Sequence, residues 1–418
     1  MTVRYSAMVK NWLRSSWLGL LLLVGAAPLH AELNTRFKYS AAITELPSSD
    51  IRKNVLENWF VDHQLDARFQ HSDQSGFFSW NIDVTASALK SGSIELERFF
   101  GTADEQRRGS QAKFRVDLAR RIHDQDDQVA IVGVDRAVIQ YRRGDWSLKL
   151  GRDALSWGNG LVFHPLDLFS PYSPTAVDRE FKTASDLILF EKLFLNGADL
   201  QVLHIARKRR GDQDNRVSTS AMKFSGLTGS VQYEVILGQH YEDKIVAGSL
   251  QLPVGGALFR SDVLRACVSK DCFNSMLANL DYTFSFRGGA LYTFAEFFHN
   301  GFGVTDDLDS VVEYPQQLLE RASRGELFNL MQDYMAMGVV FPWHPLWSQP
   351  VSLITNLQDR STLLQTFLTY DPTDDTRLQF GVLVPVADQG TEFGKRSAGM
   401  DQTVGGGWSI FLNMSYYL

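Results

Sequence analysis

Apolar and polar residues alternate along most of the chain. In the segment 276–286, every second side chain from Ala278 onward is apolar, as in Leu280 and Tyr282, and the side chains between them are polar. The same alternation occurs at 77–88, 229–238 and 376–385. A period of two places all apolar side chains on one face of a β-strand. The pattern therefore predicts strands with one apolar and one polar face, either half-buried in a soluble protein or facing lipid.

The spacing of these segments decides between the two. We assign eighteen strands, at residues 33–45, 57–70, 77–90, 129–142, 145–152, 185–194, 199–207, 217–225, 229–238, 244–252, 256–263, 276–286, 290–298, 333–341, 350–358, 362–370, 376–385 and 407–418. Short connections with Gly, Asn or Asp turn signals alternate with connections that include long ones, at 91–128, 153–184, 299–332 and 386–406. This layout is typical of an all-β, transmembrane antiparallel β-barrel with long external loops. Sixteen strands remain possible, because the connection 342–349 is long for a periplasmic turn.

The last strand is an independent signal. Apolar residues from Trp408 to Leu418 alternate with polar ones, and this strand must pair with the first to leave no unpaired edge in lipid. A final amphipathic strand is what the outer-membrane assembly machinery recognises, so that machinery is an expected partner. The competing architecture is a soluble β-sandwich or β-helix of an exported enzyme.

The N-terminus has the features of a targeting segment. Arg4, Lys10 and Arg14 precede an apolar run at 17–28, and Ala31 supplies a small residue before a cut. We expect a secretory signal peptide at 1–31 and a barrel at 32–418, located in the outer membrane of a Gram-negative bacterium. An uncleaved anchor helix is the alternative.

Composition and charge remove other classes. The chain has 418 residues, 44% of them hydrophobic, which is too apolar for a disordered protein. Beyond the N-terminus no stretch approaches the ~18 apolar residues of a membrane helix. The net charge is −7, and removing the three positive charges of residues 1–31 leaves −10. That balance argues against nucleic acid as a partner.

The chain has two cysteines, Cys267 and Cys272, and they lie on a polar segment. In an exported protein such a pair predicts one local disulfide. A metal site would need more Cys or His nearby. We therefore predict no metal site, and the sequence points to no cofactor.

The most distinctive segment is not a strand. Residues 151–158 have the pattern Gly-Arg-x-x-x-Ser-Trp-Gly, and residues 165–171 have Pro-x-Asp-x-Phe-x-Pro. Over about residues 140–190 the chain resembles Gram-negative outer-membrane channels of the alginate-export type and their porin-like relatives. The resemblance implies a monomeric β-barrel channel without naming a solute.

This segment is the third external loop, residues 153–184. In general porins this loop folds into the lumen and forms the constriction, and a structureless loop of such length is usually functional. We expect pore-lining or constriction roles for a set of residues here: Arg152, Trp157, Asp167, Asp178, Arg179, Glu180 and Lys182. The alternative is an external cap over the barrel mouth.

Alternation also places a row of basic side chains in the lumen: Arg36, Lys38, Arg68, Arg136 and Lys149. Rings of charge are how channels select ions. Acidic residues lie among them on the same faces, at Asp62, Asp66 and Asp83. The row is therefore either a selective lining or a set of salt bridges that stiffens the wall.

Enzyme motifs are absent from the sequence, since it has neither His-Glu-x-x-His nor Gly-x-Ser-x-Gly. We predict a non-enzymatic, porin-like channel for passive passage of a small or extended polar solute, with the third loop as constriction. The alternatives are the outer-membrane component of a lipid or hydrophobic-compound export route and a structural barrel with a closed lumen. Outer-membrane lipid and lipopolysaccharide are expected partners.

Overall fold

The computed structural model describes residues 32–92, 94, 114–125, 127–208, 216–306, 314–399 and 402–418, so the predicted signal peptide lies outside the described residues. Eighteen antiparallel strands form the wall. In chain order they are β1 (Glu32–Glu45), β2 (Trp59–Ser75), β3 (Phe78–Lys90), β4 (Gln128–Arg143), β5 (Trp146–Asp153), β6 (Ser185–Leu193), β7 (Asp199–Lys208), β8 (Arg216–Thr228), β9 (Val231–His240), β10 (Asp243–Val254), β11 (Ala257–Val268), β12 (Asp271–Phe286), β13 (Gly289–His299), β14 (Asp333–His344), β15 (Trp347–Asn356), β16 (Thr362–Thr373), β17 (Thr376–Val386) and β18 (Ser409–Tyr417).

The wall closes on itself. Each strand pairs with its neighbours in the chain, and β1 pairs with β18 in a register that runs from Arg36↔Tyr417 to Thr44↔Ser409. Closure satisfies the backbone groups of both terminal strands, as a barrel in lipid requires. The predicted all-β antiparallel barrel is confirmed with eighteen strands, and sixteen is wrong.

The connections differ between the two ends. At one end all eight are turns of two to five residues: 76–77, 144–145, 194–198, 229–230, 255–256, 287–288, 345–346 and 374–375. At the other end lie nine loops, L1 to L9: 46–58, 91–127, 154–184, 209–215, 241–242, 269–270, 300–332, 357–361 and 387–408.

Two connections are shorter than the sequence suggested. The expected long connection at 342–349 is a two-residue turn, because β14 continues to His344 across a bulge. The cysteines also lie in strands, since β11 and β12 extend to Val268 and from Asp271, leaving L6 as a two-residue turn. Cys267 and Cys272 are directly opposite each other in this ladder and form the predicted disulfide.

The outward face of the wall is apolar. Leu150, Val246 and Met414 are examples of its exposed side chains. Aromatic rings gather at the short-turn end, where Tyr141 packs against Phe78. Exposed apolar bands bordered by aromatic residues are typical of a lipid-facing barrel surface. Among the described residues, no helix is long and apolar enough to cross a membrane.

The hydrophobic core lies inside the barrel, at the long-loop end. L3 and L7 fold inward and pack on the inward apolar side chains of β6 to β16 in two clusters. L7 contains the helix α1 (Gln316–Ser323), whose Leu318 is fully buried. Inward apolar side chains would otherwise be exposed to water in the lumen. L3 and L7 cover them and exclude water from that part of the wall.

Three short strands lie outside the wall ladder. Ala119–Gln125 pairs with the part of β4 that extends beyond the end of β5. Arg396–Gly399 and Gln402–Val404 pair with each other within L9.

Candidate functional site

L3 (residues 154–184) runs around the inside of the barrel. It leaves β5, and its first contact is on β7, where Trp157 Nε1 donates to Gln201 Oε1 at 3.0 Å. Two residues later the Asn159 backbone N–H donates to Asp262 Oδ2 on β11 at 2.8 Å. Asn159 O accepts from Asn279 Nδ2 on β12 at 3.2 Å. The first part of L3 is therefore attached to successive strands of one wall.

The next contact is the most extensive. Glu296, on the inward face of β13, accepts three consecutive backbone N–H groups of L3. Leu161 donates to Oε2 at 2.7 Å, and Val162 and Phe163 donate to Oε1 at 2.9 and 2.8 Å. Asn279 Nδ2 also donates to Oε2, at 3.0 Å. A carboxylate that accepts several N–H donors is a strong anchor for a loop.

The last part of L3 crosses to the remaining strands. Gln365 Nε2 on β16 donates to Thr175 O at 2.9 Å. Asp178 forms an ion pair with Lys38 of β1. Glu180 Oε2 accepts from Arg36 Nη1 at 2.7 Å and from the Tyr417 hydroxyl of β18 at 3.1 Å.

The loop then returns to its start. The Phe181 ring lies 4.5 Å from the Arg36 guanidinium and 3.9 Å from that of Arg68 on β2. Arg136 of β4 donates to Lys182 O just before β6 begins. L3 is thus held by strands on every side of the barrel, and this places it inside the lumen.

Arg179 stabilises the fold of L3 itself. Its guanidinium donates to three backbone carbonyls of the loop, Leu161 O at 2.7 Å, Ala176 O at 3.1 Å and Pro174 O at 3.2 Å. The residue is nevertheless exposed, as are its neighbours Asp178 and Glu180. The three predicted site residues 178–180 therefore present charge to the space beside the loop.

Three other predicted residues of L3 are buried. Lys182 forms an ion pair with Asp167 and donates to Ser156 Oγ at 2.9 Å. Burial lowers the pKa of Lys182 and raises the pKa of Asp167, and the mutual attraction of the pair opposes both shifts. Trp157 packs edge-on against Phe169, with ring centroids 4.9 Å apart. Lys182 and Asp167 hold the loop together, whereas Trp157 is buried in the core between the loop and the wall.

The predicted basic row faces inward, and each of its members has an acidic partner. Arg68 lies 2.7 Å from both Asp83 and Asp135. Arg136 lies 3.0 Å from Asp135, and Lys149 lies 3.0 Å from Asp153. Arg36 and Lys38 are paired with L3. Of the two interpretations offered for the basic row, a set of salt bridges that stiffens the wall fits this geometry.

Arg152 lies away from the other predicted residues. It shares the outward face of β5 with Leu148 and Leu150, and its guanidinium donates to Asp186 Oδ1 on β6 at 2.7 Å. Residues 114–118 cover it, and its guanidinium lies 3.9 Å from the Phe114 ring. Arg152 is separated from the lumen because its side chain points outward from β5 and residues of L2 pack over it.

Several residues of the site were missed in the sequence. Asp135 points inward because a bulge in β4, opposite Asp83 and Val84, breaks the alternation. Glu296 lies between Phe294 and Phe298 on the same inward face of β13. A single acid on an otherwise aromatic face could have marked it as a site residue in the sequence. The anchors Asp262 and Asn279 look like ordinary polar positions in the sequence.

Comparisons with known proteins agree on the fold. The chain aligns with a BenF-like porin from Pseudomonas fluorescens Pf-5 at a TM-score of 0.53 and 9% identity, covering 94% of this chain and 100% of that one. It aligns with Pseudomonas aeruginosa OccK5 (OpdH) at 0.52 and 12%, covering 93% and 97%. For Pseudomonas aeruginosa OpdO the values are 0.51 and 13%, with the same coverage.

No family model and no curated protein matches the chain. At these identities the neighbours show a shared fold, the porin-type barrel. They support the porin-like part of the resemblance noted in the sequence and do not single out the alginate-export type.

Proposed function

We propose that this protein is an outer-membrane channel that passes a small or extended polar solute passively, with L3 as the constriction. The carrying observation is that residues 178–180 remain exposed although strands on every side hold L3 in the lumen. Exposed charges at that position indicate water-accessible space between loop and wall.

The mechanism follows from the lining. A polar, hydrated lumen lowers the cost of removing water from a solute, and fixed charges at a narrow point bias which solutes enter. L3 and L7 fill the apolar side of the long-loop end. We propose that solutes pass on the polar side, along β1 to β5.

One alternative is less favoured. A lipid-export route would need apolar side chains of L3 to face the passage, but Leu166 and Phe169 are buried in the core between loop and wall. They offer no apolar path. We further propose an outer-membrane location, removal of residues 1–31 on export, recognition of β18 by the assembly machinery, and contact with lipopolysaccharide. The neighbours' porin fold supports the location.

Planar-bilayer recording of Glu180→Cys tests the proposal. The native cysteines are disulfide-bonded, so a bulky methanethiosulfonate reagent has one target. We expect steady ionic conductance that falls on modification. Asp374→Cys is the control, because Asp374 is exposed in a short turn at the opposite end from L3, and its modification should change the current less. A wild-type protein without conductance is a closed barrel, and the proposal would be wrong.

A further inference from the structure

Each carboxylate that L3 offers to β1 is more exposed than the base it neutralises. Lys38 is 7% exposed as a side chain, and its partner Asp178 is 39% exposed. Arg36 is 8% exposed and Glu180 32%. These two acids therefore lie between Arg36 and Lys38 and the open space. Arg179, between the two acids in sequence, is an exposed base, and its guanidinium is bonded to backbone carbonyls of L3.

The same order holds for some pairs further along the row. Arg68 is 8% exposed, less than Asp135 at 18% and more than its second partner Asp83 at 2%. Arg136 is 7% exposed, with Asp153, at 19%, lying 3.6 Å away. Lys149, at 25%, is more exposed than its partner Asp153 at 19%, so the order is reversed for this pair and for Arg68–Asp83.

Packing explains why the bases are covered. The Phe181 ring lies against the guanidinium groups of Arg36 and Arg68, so an aromatic ring covers one face of each. Each guanidinium also pairs with a carboxylate. The long basic side chains lie along the wall, and the shorter acidic side chains lie between several of their charged groups and the lumen. In this arrangement the basic row is a scaffold that holds carboxylates in place.

Two more acids point into the lumen from β2. Asp62 accepts a hydrogen bond from Ser91, and Asp66 accepts one from Ser87 and one from Gln64 at 2.8 Å. These hydrogen-bond donors are neutral, so they do not cancel the negative charge of either carboxylate. They add to the acidic character of the same side of the barrel.

We infer that the lumen presents an acidic surface beside L3, so that the channel favours cations and solutes carrying an ammonium or guanidinium group. This deepens the proposed function and depends on it. Charges in a narrow passage with low-dielectric walls are screened less than charges in bulk water, so a few exposed carboxylates are enough to bias entry.

The zero-current potential across a KCl gradient measures this directly. We expect the wild-type channel to prefer potassium over chloride, and the double variant Asp178→Asn/Glu180→Gln to shift the potential towards chloride. Asp374→Asn/Asp375→Asn removes two exposed carboxylates from a turn at the opposite end and should shift it less. Liposome swelling should be faster with arginine than with glutamate, and the ratio should fall in the first double variant.

A wild-type potential that favours chloride would overturn the inference while leaving the channel intact. So would a potential that the first double variant does not change. The wild-type sign is informative even if that variant fails to fold. Absence of any conductance would instead remove the proposed function, and the inference with it.

Discussion

The Glu296 carboxylate on β13 accepts the Phe163 backbone N–H of L3 at 2.8 Å, joining loop and wall across more than a hundred residues of sequence. The Phe163 ring stacks on the ring of Phe298, which lies two residues after Glu296 on β13, at a centroid distance of 4.8 Å. A polar anchor and an aromatic stack thus fix the same point of L3. Such a loop behaves as a fixed part of the lumen.

Replacing Glu296 by Gln should loosen this anchor. One of its oxygens becomes an NH₂ group that cannot accept the N–H groups of Val162 and Phe163 or of Leu161. We expect a loss of about 1–3 kcal/mol in the free energy of unfolding and noisier single-channel current. Glu57→Gln, in the exposed part of L1, is the control. Equal midpoints for both variants in urea would contradict the assigned role.

Replacing Lys182 by Met should destabilise L3 by leaving Asp167 buried without its cation. Breaking a buried pair on one side costs about 3–5 kcal/mol. Lys182→Met/Asp167→Leu should recover much of that loss, because both charges are gone. A double-mutant cycle by thermal unfolding gives the coupling. If the single variant were as stable as the wild type, the pair would not be holding the loop.

His164 of L3 should make stability fall in acid. Burial, with Arg179 and Lys182 nearby, lowers its pKa from 6.5 to about 4. Between these values the unfolded chain binds a proton that the folded loop does not, so stability is present above pH 6.5 and declines as the pH drops towards 4. We expect a loss of roughly 2 kcal/mol between pH 7 and 5.

His164→Gln removes that titration, so its unfolding midpoint should change less over the same range. His204→Gln is the control, since His204 is exposed on β7. Parallel pH profiles for the wild type and His164→Gln would show that His164 does not cause the acid sensitivity.

Reducing Cys267–Cys272 should have a small and local effect. The bond closes a short ring between paired strands, so its contribution through chain entropy is at the low end, about 2 kcal/mol. L6 lies at the long-loop end, which we place outside the cell. After reduction, a membrane-impermeant maleimide should label intact cells. Labelling that requires lysis would reverse the orientation.

Charge on the outward face of β18 should oppose membrane insertion in a depth-dependent way. Leu412 lies in the middle of this strand and Leu418 at its end, and both are exposed. Lys at a mid-membrane position costs about 2–4 kcal/mol, and less near an interface. Leu412→Lys should therefore lower the heat-modifiable, SDS-resistant fraction more than Leu418→Lys does. Equal losses would place the lipid boundary elsewhere.

The strand pattern could be found from the sequence because side-chain alternation is a local property of an extended chain. It determined the barrel, the closing strand β18 and the cysteine pair, and it drew attention to the third loop. It also placed Lys38 and Arg68 on the inward face. Where a bulge interrupts the ladder, as at Asp135, alternation fails.

Tertiary structure decided what each inward charge does. Neighbouring residues cannot show that Asp178 covers Lys38, that Lys182 is buried with Asp167, or that residues 114–118 cover Arg152 on the outward face. These outcomes depend on how L3 and L2 pack on distant strands. The physical reason is that exposure and charge pairing are set by contacts between residues far apart in the chain, whereas strand formation is set by neighbours.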